Sequence, residues 1–269
     1  MQDIDLTESP YTGFCNKYAG DFAGTFDGNH KSLINLNGCV FDEVTKDGTV
    51  KDLYIVNANK KYGKKYSKCA ALADDNYGEI QNCAVIDSEY AVENNLADSG
   101  LLVGFNKGVI SKCKVENCTI DAHGANIGGI VGRNDGTVSE CYSKVSISGA
   151  NNTVGGIAGA NFGIIEECYS DPEELTGYSK YCGGIAGVSK SKSFIKDCVS
   201  MFIPEEPEKL LGSAGPFIGS IVGGDDGYTA EYNIGAVTDE PEEPDEDDKS
   251  AVRDYEKLLI FFLMVAYIN

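Results

Sequence analysis

The sequence predicts an all-β fold, a parallel β-helix or β-solenoid of about eight coils, followed by an acidic linker and a short apolar C-terminal segment. Three observations predict it. A segment recurs every 27 to 30 residues along most of the 269-residue chain. The hydrophobic residues, 42% of the total, are mostly Val, Ile, Ala, Tyr and Phe, types that suit strands. Glycine is abundant at 32 residues, and it recurs at the same places in each copy.

The repeat is clearest in Ile127 to Ser143, IGGIVGRNDGTVSECYS, and Val154 to Ser170, VGGIAGANFGIIEECYS. Cys182 to Ser200 is a third copy with a longer turn. Ser99 to Val115, Cys69 to Val85 and Ile218 to Asn233 are weaker ones. The template places cysteine at Cys83, Cys113, Cys141, Cys168 and Cys198, at intervals of 30, 28, 27 and 30 residues. Tyr232 takes that place in the last copy. Leu53 takes it in a half-copy, Asp47 to Ile55, and Phe22 to Leu36 reads as a divergent first coil. A unit this short cannot bury its own apolar face, so successive units stack and pair strand on strand.

The turns fit this winding. Asn76, Asn106, Asn134 and Asn161 each stand two residues before glycine and seven before the cysteine, and Asp225 with Gly227 repeats the first half of the pattern. Asn tolerates a left-handed backbone and bonds to nearby main chain, so stacked amides can form a ladder. From Cys141, period two puts Cys141, Ser143, Val145 and Ile147 inside, with Tyr142, Lys144, Ser146 and Ser148 outside. The cysteines then form a buried column of small apolar residues. Disulfides between neighbouring coils are the competing reading, because stacked strands bring Cα atoms close, although parallel Cβ vectors suit the S–S torsion poorly. Cys15, Cys39, Cys69, Cys118 and Cys182 lie off this register.

These residues resemble the GLUG motif family, through GGIVGRNDGTVSECYS and GGIAGANFGIIEECYS, and FAGTFDGNHKSLINL resembles the opening segment that precedes such repeats. The resemblance covers about Phe22 to Asn233. It implies a secreted or surface-attached bacterial protein with an adhesin-like role. Some proteins with such repeats also carry a peptidase that cleaves immunoglobulin A. The peptidase residues have no counterpart here, and the motif itself supplies no catalytic residue.

Composition narrows the function. The formal net charge is −20, and only two arginines occur, Arg133 and Arg253. Nucleic-acid binding needs clustered basic residues and is disfavoured. The ten cysteines form no CxxC, and His30 and His123 stand in no zinc motif. We therefore expect a non-catalytic repeat module that serves adhesion or ligand binding or acts as a structural spacer, with no catalytic residue, no cofactor and no metal, and a surface glycan or protein as partner. The alternative is a polysaccharide-active β-helix enzyme, a lyase or hydrolase. Its candidate groups are Arg133 and the carboxylates Asp74, Asp75, Asp135, Asp225 and Asp226, all read as turn residues. Calcium at Asp74, Asp75, Asp225 and Asp226 is a third reading, without any DxDxDG loop to support it. The sequons at Asn117 and Asn151 matter only in a eukaryotic secretory route, and Asn117 falls in a strand.

The expected organisation is 1–21 as an N-terminal segment or partial cap, 22–238 as repeats, 239–250 as an acidic Pro-containing linker and 251–269 as an apolar segment. Met1 to Pro10 is polar and acidic, unlike a signal peptide. We expect trimmed ends, with localisation at the cell surface or outside the cell and attachment to membrane or wall through flanking sequence. The run Leu258 to Ile268 is shorter than the about 20 residues a bilayer needs. It reads as a cut anchor, as a short helix covering the solenoid end, or as an out-of-frame tail.

Overall fold

A computed structural model describes residues 2–8, 21–63, 68–93, 98–123, 125–148, 153–176, 181–190, 192–202, 217–219, 222–226 and 229–231, with the side chains of Tyr62 and of 217–231 excepted. Every element among the described residues is a β-strand, and every pairing between them is parallel. The strands belong to one unit, Met1–Ala236. Asn151, Tyr232, Cys15, the acidic linker at 239–250 and the apolar segment at 251–269 lie outside the described residues.

The chain winds as a β-solenoid with two sheets. The larger has 23 strands and the smaller has six. Each complete turn gives one short strand to the small sheet, as in Asn126–Gly128, and then three to the large one, as in Val131–Asn134, Thr137–Ser139 and Tyr142–Ser148. The six-stranded sheet therefore counts about six complete turns, and the expected eight coils are corrected to that number. The first two layers, Phe22–Ile34 and Phe41–Val56, are long strands that stack in the large sheet. Between them residues 35–40 cut directly across, adding no strand to the small sheet. Leu36 and Val40 on this shortcut are fully buried, and the buried Tyr90 hydroxyl donates to the Gly38 carbonyl at 2.8 Å. The shortcut thus closes the lower end of the apolar core.

The period-two reading holds. Along Tyr142–Ser148 the residues alternate half-buried and buried, with Ser143, Val145 and Ile147 inside. Fully buried Ile110, Val138, Ile165 and Ile195 stack in one column, each worth about 1.5–3 kcal/mol of burial.

The amide ladder forms as expected. Asn76 Nδ2 donates to Asn106 Oδ1 at 2.8 Å, Asn106 to Asn134 at 2.8 Å, Asn134 to Asn161 at 2.9 Å and Asn161 to the Ser189 hydroxyl at 3.2 Å. Asp225 continues the column in register with Ser189. The four Asn side chains are fully buried, and each of these amides also reaches the carbonyl of a residue in the layer above. Buried amides must be paired in this way, because an unpaired one costs about 1–3 kcal/mol.

The cysteine column is also as expected, and its purpose becomes visible in the corner before it. Asn82, Lys112, Glu140, Glu167 and Asp197 all have φ between 50° and 55°, in the left-handed region. That conformation costs a residue other than glycine roughly 1–2 kcal/mol. The next residue is always the cysteine, whose Sγ lies 3.1 to 3.3 Å from the carbonyl oxygen two residues back. The thiol pins the corner and fills the core beneath it. Cys118 and Ser88 do the same at a second corner, after Asn117 and Asp87 in the same conformation. The nine described cysteines are free thiols, so the disulfide reading is set aside for them. Burial pushes the Cys113 and Cys168 thiols far up. All five thiols of the column are buried, a setting in which cysteine is inert.

Candidate functional site

The outer surface is not uniform. Six large hydrophobic side chains are exposed among the described residues, and four of them, Tyr77, Val109, Phe162 and Ile164, flank the corner of the amide ladder. Each is there for a local reason. The ladder Asn turns inward, so the residue after it (Tyr77, Lys107, Asp135 or Phe162) must face out. The first residue of the next short strand (Glu79, Val109, Thr137 or Ile164) faces out again, in register from layer to layer.

Beside this edge stands a second outward column, Asp75, Phe105, Arg133 and Ala160. Arg133 is clamped to Asp135 by two bonds, Nε to Oδ1 at 2.7 Å and Nη2 to Oδ2 at 2.9 Å. The carboxylate also holds the guanidinium pKa above its ordinary value. The guanidinium carbon lies 4.3 Å from the Phe162 ring centre and 5.6 Å from that of Phe105. Tyr77 meets Phe105 edge to face at 6.1 Å. Tyr77, Phe105, Arg133 and Phe162 therefore form a continuous line up four layers, an arrangement in which cation–π and aromatic contacts each add about 0.5–1.5 kcal/mol.

A polar row runs alongside. Lys68, Asp98, Asn126, Thr153 and Tyr181 are in register on the small sheet. Asn126 Nδ2 donates to Asp98 Oδ1 at 2.7 Å, and the Thr153 hydroxyl donates to Asn126 Oδ1 at 2.7 Å. Lys68 pairs with Asp75 and lies 5.7 Å from the Phe105 ring, which joins the polar row to the aromatic line.

Glycine brings the two columns together. Gly104, Gly132, Gly159 and Gly187 occupy one column of the large sheet. A Cβ at Gly132 would meet the backbone of Asp98 and Ser99, and one at Gly159 that of Asn126 and Ile127. Only hydrogen fits where the small-sheet strand of the layer below presses against it. In the lower layers Asp42 and Asp74 fill this column, where no such strand lies beneath. Burial pushes the Asp74 carboxyl up to about 7, helped by the Asp42 and Asp75 carboxylates, and its Oδ1 has no hydrogen-bond partner.

The carboxylates considered for an enzyme or a calcium site are not gathered together. Asp74 and Asp75 lie on the strand Ala73–Asn76 and Asp225 and Asp226 on Val222–Asp226, so these four are strand residues rather than turn residues. Asp135 does lie in a turn, bound to Arg133. Among the described residues no group of three or more His, Cys, Asp or Glu is arranged to hold a metal ion. His30 is exposed and shares a hydrogen bond with the Tyr54 hydroxyl, His123 is exposed, and Asn117 sits in a strand as expected. No described helix is long and apolar enough to cross a membrane. The Phe–Arg–Phe line was missed in the sequence because its members occupy different repeat positions. The only signal was a bulky residue beside an Asn or Gly in adjacent copies.

Comparisons with known proteins agree with the fold. Residues 123–148 match the GLUG motif, as the repeat pattern implies. The solved structure of an IgA1 protease superposes with a TM-score of 0.59 at 15% identity, covering 86% of this chain and 19% of that one. A Bacteroides ovatus protein, described provisionally as an immunoglobulin A1 protease, superposes with a TM-score of 0.53 at 17% identity, covering 85% and 75%. This chain thus spans about a fifth of the first of these proteins, and at such identities the likeness is one of fold. No curated protein matches the chain.

Proposed function

We propose that this chain is a non-catalytic repeat module of a secreted or cell-surface protein, and that it holds a ligand along the amide-ladder edge. The observation that carries the reading is the gathering of four exposed hydrophobic residues and a clamped arginine on that edge. Exposed aromatic and aliphatic groups cost solubility, and a contiguous set with arginine has the composition of binding surfaces. The buried columns are occupied by structural ladders and leave the exposed edge as the place for recognition. Likeness to regions of proteins named for cleaving immunoglobulin A1 supports a part played beside other domains at a cell surface.

The test immobilises the purified chain and measures capture of bacterial and host cell-surface extracts, separated into glycans and proteins. The double variant Phe162→Ser with Ile164→Ser should lose capture while keeping the β-rich circular dichroism of the parent. Equal capture by the variant would overturn the assignment of the edge. Cleavage of immunoglobulin A1 or of a polysaccharide by the purified chain would overturn its non-catalytic character.

A further inference from the structure

We infer that the ligand of this edge is an uncharged saccharide chain lying along the solenoid axis. This rests on the binding role proposed above and adds the chemistry of the ligand.

The edge is two-sided along its length. On one side stand Tyr77, Phe105, Val109, Phe162 and Ile164. On the other stand half-buried Asp98 and Asn126, hydrogen-bonded to each other, with the buried Thr153 hydroxyl donating to Asn126. A molecule that covers both sides must offer an apolar face and a line of hydroxyl groups over the same length. A saccharide chain does so, with the C–H faces of its rings against the aromatic side and its hydroxyls towards the Asp98 carboxylate and the Asn126 amide. Phe162 keeps 40% of its surface exposed and Tyr77 keeps 38%, even with Arg133 and Phe105 against them.

Charge selects between polymers. The chain carries −20 overall, and Lys68 and Arg133 on this edge are held by Asp75 and Asp135. Uronate or sulfated chains are therefore repelled at long range.

The experiment titrates the purified full chain by calorimetry with cellohexaose, mannohexaose, galactohexaose and xylohexaose, and with hexagalacturonate as the anionic control. At least one neutral oligosaccharide should bind, with little dependence on salt, and its affinity should rise with length until about four units span the edge. Phe162→Ala and Asn126→Ala should each weaken binding about tenfold. Phe162→Leu keeps apolar cover over Arg133 but loses the flat face, and should weaken it as well. Tyr142→Ala, on the far face where Tyr142 stacks on Tyr169 at 5.6 Å, should leave binding unchanged. Binding of hexagalacturonate alone, of no oligosaccharide, or of one indifferent to Phe162 and Asn126 would overturn the inference. If a protein ligand were captured and lost in Phe162→Ser with Ile164→Ser, the binding edge would stand and its saccharide ligand would fall. If nothing bound through the edge, both would fall.

Discussion

The lower layers and the upper layers follow one template but fill it differently. In the layer of Val103–Asn106, Leu101 and Val115 occupy two facing core positions. In the two layers above, the same positions hold Gly129 with Ser143 and Gly156 with Ser170. A Cβ at either glycine would fall on the serine hydroxyl and on the glycine carbonyl of the next layer. At the bottom the core is closed by Tyr90, Leu36 and Val40, and the column that carries glycine above carries Asp42 and Asp74. The difference teaches that a residue here is chosen by the layer next to it as much as by its own turn. Glycine appears where a neighbouring strand or hydroxyl leaves no room, and larger groups appear where that neighbour is missing.

The largest test of this contrast transplants a lower-layer residue upward. Gly156→Leu should destabilise the protein by about 3–5 kcal/mol in urea unfolding, because Ser170 and the Gly184 backbone cannot move aside. The same side chain is native at Leu101, where its removal in Leu101→Ala should cost about 2–5 kcal/mol through the cavity left behind. If Gly156→Leu were tolerated, the two halves would not differ in width.

A smaller effect is expected from Asp74, whose folded carboxyl titrates near 7 against an ordinary value of 3.8. Because the folded value is raised, the fold favours the protonated acid. The stability it contributes is full below about pH 4 and is lost as pH rises towards about 7. Asp74→Asn should therefore be more stable than the parent by about 2–3 kcal/mol near pH 8, an amount reduced from the full shift for partial exposure. The two proteins should converge near pH 4, as read by chemical denaturation across that range. A constant difference at all pH values would show that Asp74 does not titrate on unfolding in this way.

The smallest effect concerns the upper layers alone. The Ser143 and Ser170 hydroxyls are buried without hydrogen-bond partners. Ser143→Ala should be neutral or stabilising by up to about 1 kcal/mol, since it removes a desolvated hydroxyl and little volume. A clear loss of stability would mean that the hydroxyl is paired, by water or otherwise.

Much of the fold was legible in the residues. The fixed distance from Asn134 to Cys141, repeated in the neighbouring copies, placed both ladders and the inner face. The coil count was less legible. Phe22–Ile34 and Phe41–Val56 carry enough of the pattern to be counted as coils, yet the six residues between them leave no length for a small-sheet strand. Of the candidate edge, the exposure of residues beside the ladder Asn was readable, but the stacking of Arg133 on Phe105 and Phe162 was not.

By itself the sequence determined the winding, its period, the side of each strand that faces inward and the thiol and amide columns. These follow from spacing and side-chain size within one repeat. Tertiary structure alone decided the exchange of glycine for Asp42 and Asp74 and the meeting of the aromatic line with the polar row. Each of these depends on what lies one layer away, about 28 residues distant in the chain, and lateral packing of that kind leaves no periodic mark in a single copy.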